Sequence, residues 1–398
     1  IILIDRLADI FTPLFTQYTY GGIIEESMNP QVNKITLPEG INVPDTYPGV
    51  SSKTPKESIR EIKMSDADPA FKEIRGMQLT PAVDYVNQQL QDIKGAAQKM
   101  VPGIDFNTFK NNKANAERLA DMKPYLSLNL DLMAYLAKQK ASDPSFNQMI
   151  NFEYKAMIGL QEKPDEEIFL NLLKDEKWDD TIRLYCLCSV IGRGLEPKIA
   201  TLIRRMLLDR FGFDALDDIE YLERTRLLYP QPQFYEIAKL IHNIPAYDRF
   251  NKEFNIMKDP PVPDPEIDDA YGGYVPLLVR LVQAIVDGKM TMGRKKLLTT
   301  NRTVYSPPQQ STKRTLFSKQ PEFDKSIVRK IMIYVIGGMT SSEISMIRSL
   351  GQKKYKGSVE FYLGTTSILT GRRLVNEVCP CIAKLNQYVP PEPETDKK

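Results

Sequence analysis

Histidine is nearly absent: His242 is the only one in 398 residues. One imidazole excludes multi-histidine metal sites and leaves any His-based triad resting on a residue with no chemical context. In KLIHNIPAY it reads as a structural or surface side chain. Cysteine is scarce too, four in all, and too few for a disulfide scaffold. Cys186 and Cys188 sit in the apolar run TIRLYCLCSVIG. Residues two apart on a helix do not face each other, so buried thiols in a reduced compartment are expected. The pair Cys379/Cys381 lacks the two-residue spacing usual at zinc sites and has no His nearby. No apolar run reaches about 20 residues, so no membrane-spanning helix is expected. Neither sign of charge dominates: 53 Lys+Arg against 51 Asp+Glu leaves +2. That gives no global reason to expect nucleic acid. A P-loop sequence is missing. The opening IILID is too short for a signal sequence and lacks its basic flank. It begins without Met, in what reads as the middle of a strand, which predicts a further N-terminal region in the protein.

What is present is a chain long enough for two or three domains. Ile1–Asp5 reads as a buried strand ending in an acid, and Pro13 fixes a turn after it. Residues 38–69, rich in Pro, Ser, Asp and Lys, read as an extended loop with little core. Thr80-Pro81 then reads as a helix start. Val83, Val86, Leu90, Ile93 and Ala97 follow as one apolar stripe, with Asp84, Asn87, Gln88, Gln91 and Lys94 off it. Pro102-Gly103 ends that helix. A second pattern runs through Leu119, Met122, Leu126, Met133 and Leu136, with Pro124 expected to kink or restart it. Two long helices and a short polar connection make a helical hairpin.

Helices continue through 150–228. Pro164 and the acids at 165–167 mark one start. Pro197 marks another, with Ile199, Leu202, Ile203, Met206 and Leu207 expected inward and Arg204 and Arg205 elsewhere. Phe211-Gly212-Phe213 reads as core or, second, as an exposed docking knob. DPPVPDPEIDD over 259–269 reads as a linker, and YGGYVPLLVRLVQAIV as a tight turn and a buried helix. Residues 294–325 carry eight basic residues against two acids. They read as a solvated loop, with contact to an acidic partner or anionic membrane as the alternative.

The last segment changes period. Ile331–Ile336 is a continuous apolar run, hence a buried strand. Gly337-Gly338 turns the chain, Thr340 and Glu343 form a capping box, and Val359–Leu363 is the next strand. Strand, helix, strand within about thirty residues predicts parallel pairing with a right-handed crossover. Ile1–Asp5 is a candidate for the same sheet. The fold class is therefore α/β: a discontinuous parallel-sheet domain with a large, mostly helical insertion. The ranges are 1–28 and 321–398 for the sheet domain, 29–145 for the hairpin part of the insertion and 146–320 for its second helical part.

Two places suit catalysis superficially. GGMTSSE is a strand–Gly–Gly–helix turn of the kind that can face phosphate, yet it lacks the dinucleotide fingerprint and any P-loop Lys; it reads as a structural turn. Asp5 ends a strand where α/β enzymes place acids, but Arg6 and Asp9 beside it offer an ion-pair reading. No catalytic residue, metal or cofactor is expected: the chain reads as a soluble cytoplasmic protein that binds other proteins, with a nucleotide-dependent enzyme using the GGMT turn as a distant alternative.

Several segments together resemble the SM family, the Sec/Munc-type chaperones of SNARE assembly. LIDRLADIFTPLFTQYTYGGIIEE is similar to its strand ending in D-R, then T-P-L and a T-Y motif before acids. IYVIGGMTSSEISMIRSL and FYLGTTSILTG are similar to its late strand–Gly–Gly–helix and the strand and T-T turn that follow. FKEIRGMQLTPAVDYVNQQL, TIRLYCLCSVIGRGL and YGGYVPLLVRLVQ resemble one branch of it. The resemblance implies the family's arch. It also implies a hairpin, here roughly 71–140, that cradles syntaxin-type and R-type SNARE helices, with Phe71, Arg75, Tyr85 and Gln89 as groove residues. The branch implies a subunit of the HOPS and CORVET tethering complexes, held by vacuolar protein sorting-associated protein 16. By position Arg204, Phe213 and Leu216 fall in that contact. Such a protein is peripheral on late endosome and lysosome or vacuole membranes, through its partners. A scaffold subunit without SNARE activity is the alternative. The family's separate N-terminal α/β domain has no counterpart in this sequence, nor has the basic 294–325 stretch one in the family.

Overall fold

The computed structural model describes residues 1–30, 33–44, 47, 61–98, 106–159, 169, 171–173, 177–231, 247–258, 260–291, 294 and 328–387. His242, the Pro102-Gly103 stop, the start at 164–167 and all of the basic 294–325 stretch but Arg294 lie outside them.

The chain enters through β1 (Ile2–Asp5), which Asp5 ends by accepting a hydrogen bond from the Leu7 N–H. A short 3₁₀ turn over Thr12–Leu14 places Pro13 where its missing N–H costs nothing. α1 (Tyr20–Met28) is capped by the Thr19 hydroxyl. An antiparallel ribbon of β2 (Lys34–Thr36) and β3 (Glu61–Lys63) follows. It corrects the expectation of a coreless loop over 38–69: Ile62 and Met64 are buried beside Leu37 and Val43. α2 (Pro69–Ile74), capped by Asp68, leads into the hairpin of α3 (Leu79–Gln98) and α4 (Phe106–Ala141).

Thr80 lies inside the first turn of α3, not at its cap. α4 runs unbroken through Pro124, so no restart occurs. Leu126, Leu128, Leu132, Met133 and Leu136 are fully buried on the C-terminal side of the proline, and tertiary packing overrides its unfavourable propensity.

The helical mass continues with α5 (Pro144–Met157), α6 (Trp178–Ile191), α7 (Pro197–Phe211), α8 (Leu216–Thr225), α9 (Tyr247–Phe254) and α10 (Leu277–Val286). Cys186 and Cys188 are buried in α6 as expected, and burial pushes the Cys186 thiol up to about 12. The YGGY turn before α10 buries Tyr271 and Tyr274, while Gly272 and Gly273 take positive φ. The chain returns through β4 (Arg329–Ile336), β5 (Met339–Thr340), α11 (Ser341–Lys353), β6 (Val359–Thr365) and β7 (Ile368–Leu369), then α12 (Gly371–Val378) and α13 (Pro380–Gln387).

The sheet order is β1–β4–β6, with both pairings parallel. Ile2 sits opposite Ile333, which sits opposite Leu363. The sheet domain is thus discontinuous, with the helical insertion between β1 and β4. Its strands are not buried throughout, as their apolar runs predicted. Ile4, Ile333 and Val335 are buried on one face. Leu3, Met332, Ile336 and Tyr362 remain 45–65% exposed. The alternation follows from the pleat: α11 covers only the face that the β4–α11–β6 crossover lies on.

A buried charge cluster closes the domain. Arg6 Nη1 donates to both carboxylate oxygens of Glu343 at 2.9 Å, and its Nη2 faces Asp9 at 3.2 Å. Glu343 also completes the capping box of α11, accepting from the Thr340 N–H while its own N–H donates to the Thr340 hydroxyl. Removing one member strands the others uncompensated, which costs about 3–5 kcal/mol. Glu343→Ala is therefore expected to lower unfolding free energy by that amount in urea titrations; a loss below about 1 kcal/mol would show the cluster to be dispensable.

Burial also pushes the Glu26 carboxyl from 4.5 up to about 7, against the pull of Lys140 and the Gln17 N–H that it accepts. Between those two values the native chain holds a proton the unfolded chain has lost, so stability through Glu26 falls as pH rises from about 4.5 to about 7. Glu26→Gln is expected to flatten that slope, raising Tm at pH 7.5 and leaving it unchanged near pH 4.5. Parallel Tm–pH curves for the two proteins would contradict the assignment.

Candidate partner-binding surfaces

Two surfaces stand out from the core, and each is positioned by identifiable contacts. The first is the hairpin. Its root is held by a buried polar chain: the Tyr20 hydroxyl donates to Asn129 Oδ1, Asn129 Nδ2 donates to Asp68 Oδ2, and Asp68 Oδ1 caps α2 at the Phe71 N–H. The α1 N–H groups of Tyr20 and Gly21 donate to the Met77 and Arg75 carbonyls. Gly21 fits tightly there: a Cβ would lie 3.0 Å from the Arg75 carbonyl oxygen.

Core packing reaches only part of the way up the hairpin. Ala82 and Val86 of α3 are buried against α4, whereas Leu90, Ile93 and Met122 are only partly covered. α3 spans about 30 Å and α4 about 54 Å, from their 20 and 36 residues.

The four groove candidates do not share one surface. Phe71 is corrected: it is 7% exposed, packed edge-on against Tyr20 at 5.9 Å, and belongs to the core. Its place on the inward side of the short α2 explains this. Arg75 follows α2 and is ion-paired with Asp66 at 2.6 Å. Tyr85 and Gln89 are half-buried on α3, one turn apart, and so face the same way.

The second surface is the α7–α8 corner. Inward residues of α7 are Ile203, Leu207 and Phe211. Leu202, expected inward, is 51% exposed, because the buried positions fall at intervals of four from Ile203. Gly212 sits at φ 73° and ψ −170°, which turns the chain sharply. Phe211 therefore tucks against Trp178 at 5.2 Å, while Phe213 is thrown out, 87% exposed. Leu202 on α7 and Tyr221 on α8 are exposed as well. Arg204 Nη1 bridges α7 to α8 through Glu223 at 3.0 Å, and Leu216 is half-buried at the start of α8. Asp218 of α8 accepts the Ile382 N–H at the start of α13, fixing this corner on the returning domain. The signal for the exposed Phe was the glycine between two aromatics; nothing in the sequence marked Tyr221.

The GGMT turn offers no anion cradle. A Cβ on Gly338 would lie 2.4 Å from Leu369 Cγ, and one on Gly337 would lie 2.8 Å from Arg6 Cβ. The N–H groups that follow are occupied: Ser342 donates to Gln17 Oε1, and Thr340 and Glu343 serve each other. The glycines answer packing, and the turn is structural. Asp5 likewise caps a turn, and Arg6 pairs with Asp9 as the sequence suggested, though its main partner, Glu343, was missed.

The chain, with its discontinuous three-stranded parallel sheet and its hairpin, matches the family model described as the Sec1 family over residues 1–377 and belongs to that family. In particular it is 23% identical over 386 residues to vacuolar protein sorting-associated protein 33A of Rattus norvegicus, covering 93% of this chain and 60% of that protein. It is 27% identical over 393 residues to the vacuolar protein-sorting-associated protein 33 homolog of Arabidopsis thaliana, covering 94% and 60%. The Unc18–syntaxin 1 complex from Monosiga brevicollis has the same fold, with a TM-score of 0.57 at 15% identity, covering 95% of this chain and 60% of that one. The chain spans about 60% of the length of the curated relatives it matches.

Phe211 and Phe213 separate packing from surface. Phe211→Ala is expected to cost about 3–5 kcal/mol of stability, and Phe213→Ala less than about 0.5 kcal/mol. Equal losses in thermal unfolding would overturn the placement of Phe213.

Proposed function

We propose that this chain binds SNARE helices along the α3–α4 hairpin, promotes their assembly for vesicle fusion at endosomes and the lysosome or vacuole, and is held in a HOPS/CORVET-type tethering complex through the α7–α8 corner. The observation that carries the reading is the hairpin itself: two long helices fixed at the root, with apolar positions left half-covered along their outer part. Helix-in-groove recognition uses such anchors at helical spacing. Membership of the Sec1 family supports it, as does the solved relative from Monosiga brevicollis, which is in complex with syntaxin 1. SNARE motifs that are disordered alone lose entropy when they zip. A rigid surface that holds two side by side bears part of that cost beforehand. Tyr85 and Gln89 are the groove residues in this reading, and Arg75 lies at its foot.

At the second surface, an exposed Phe on the corner that also carries Arg204 suits a protein interface, where aromatic and Arg side chains dominate binding energy. Arg204, Phe213 and Leu216 are assigned to vacuolar protein sorting-associated protein 16. Likeness to vacuolar protein sorting-associated proteins supports that partner and a vacuolar or endosomal location.

Calorimetry of the purified chain with soluble SNARE motifs, singly and bundled, tests the first assignment. Tyr85→Ala with Gln89→Ala is expected to weaken binding about tenfold, or about 1.4 kcal/mol. Unchanged affinity in a folded protein removes the groove. Phe213→Ala with Arg204→Glu is expected to abolish capture of vacuolar protein sorting-associated protein 16 and to leave SNARE binding intact. Capture of that subunit without any SNARE binding would favour a scaffold role.

A further inference from the structure

Below the hairpin root, between α2 and α11, lies a cleft of about 590 Å³ that adjoins a second of about 390 Å³. Both are lined by Asp66, Arg75, Ser345 and Arg348. Two guanidinium groups share one carboxylate here. Arg75 Nη1 takes Asp66 at 2.6 Å, and among the described residues nothing else takes its remaining N–H donors. Arg348 has no hydrogen bond or ion pair with any described residue, and burial together with Arg75 pulls its pKa below the usual value. Against the cost of desolvation, Arg75 and then Arg348 and Lys72 hold Asp66 ionised below its ordinary range.

The other carboxylates within the cleft are already engaged: Glu25 with Arg373 at 2.9 Å and Asp268 with Lys353 at 2.5 Å. Lys72, Glu73 and Glu360 stand exposed at the rim, opposite in sign and screened by water. The walls are preset. A Cβ on Gly76 would approach the Ser345 Cβ to 3.1 Å, so the end of α2 lies directly on α11.

We propose that this cleft binds a phosphate-monoester group of a phosphorylated inositol, gripped by Arg348 and the free edge of Arg75. A dianion balances two guanidinium groups where the single Asp66 cannot, and the planar forks match phosphate oxygens in pairs. Ser345, on the shared wall, offers a hydroxyl to a third oxygen. A ligand held there touches the foot of the hairpin and the helix of the sheet domain together. The site is distinct from the tethering surface and meets the SNARE groove only at its foot, through Arg75.

The test uses the chain as it stands, with two probes at low and physiological salt. One is soluble inositol 1,4,5-trisphosphate in calorimetry; the other is phosphatidylcholine vesicles with and without phosphatidylinositol 4,5-bisphosphate in co-sedimentation. Saturable binding that Arg348→Gln weakens at least tenfold, and Arg348→Lys partly restores, is the expected result; Tm should change little because no described residue hydrogen-bonds or ion-pairs with Arg348. Binding to the soluble probe alone identifies a free inositol phosphate, and binding to the lipid vesicles with the same Arg348 dependence identifies a headgroup. No saturable binding to either probe, or equal binding by Arg348→Gln, overturns the proposal.

Discussion

The structure depends first on a buried charge cluster. Arg6, Asp9 and Glu343 meet at the point where β1 ends and α11 begins, 337 positions apart in sequence. Asp9 also accepts from the Thr12 N–H and hydroxyl and from the Leu278 N–H, and the Thr12 hydroxyl meets that of Tyr274. The entry strand, the first turn, α10 and the returning helix are thereby tied at one site. Ions are favourable in such a place only when geometry is close to ideal. The cluster joins the two ends of the insertion between β1 and β4 through long-range contacts.

A second buried pair does the same for the helical mass. Glu153 of α5 accepts from Arg183 of α6 at 2.6 Å and from the Thr16 N–H and hydroxyl, while Arg183 also donates to the Leu14 carbonyl. The first twenty residues thus act as a strap. They join β1 to α5 and α6 and then, through Tyr20 and Gly21, to the hairpin root. Positioning of both candidate surfaces is inherited from this short segment, which itself lies far from either in function.

Much of this was legible in the sequence where local chemistry and global fold agree. The capping box at Thr340, the stripe on α3 and the apolar runs of β1 and β4 each pointed to the element found, and together they gave a split sheet with a helical insertion. The errors have one cause. Patterning along the chain tells which residues are apolar, not what lies opposite them. The strands looked buried on both faces, yet Met332 and Tyr362 are exposed. Leu202 looked inward by spacing and is not. Phe71 looked like an anchor and is core, because α2 is short and its inward side is taken by Tyr20. The Arg6–Glu343 pair was invisible for the same reason: each residue had a satisfactory local reading.

The hairpin has a mechanical consequence. α4 is about 54 Å long, and Leu126, Leu128, Leu132, Met133 and Leu136 bury it near the root. It is a stiff rod clamped at one end. By plain geometry, a tilt of about 5° at the clamp carries a point about 35 Å along the rod through roughly 3 Å, half the pitch of a helical turn. Small rearrangements among Tyr20, Asn129 and Asp68 are therefore magnified at the far end, where a register error of that size decides whether two side chains meet.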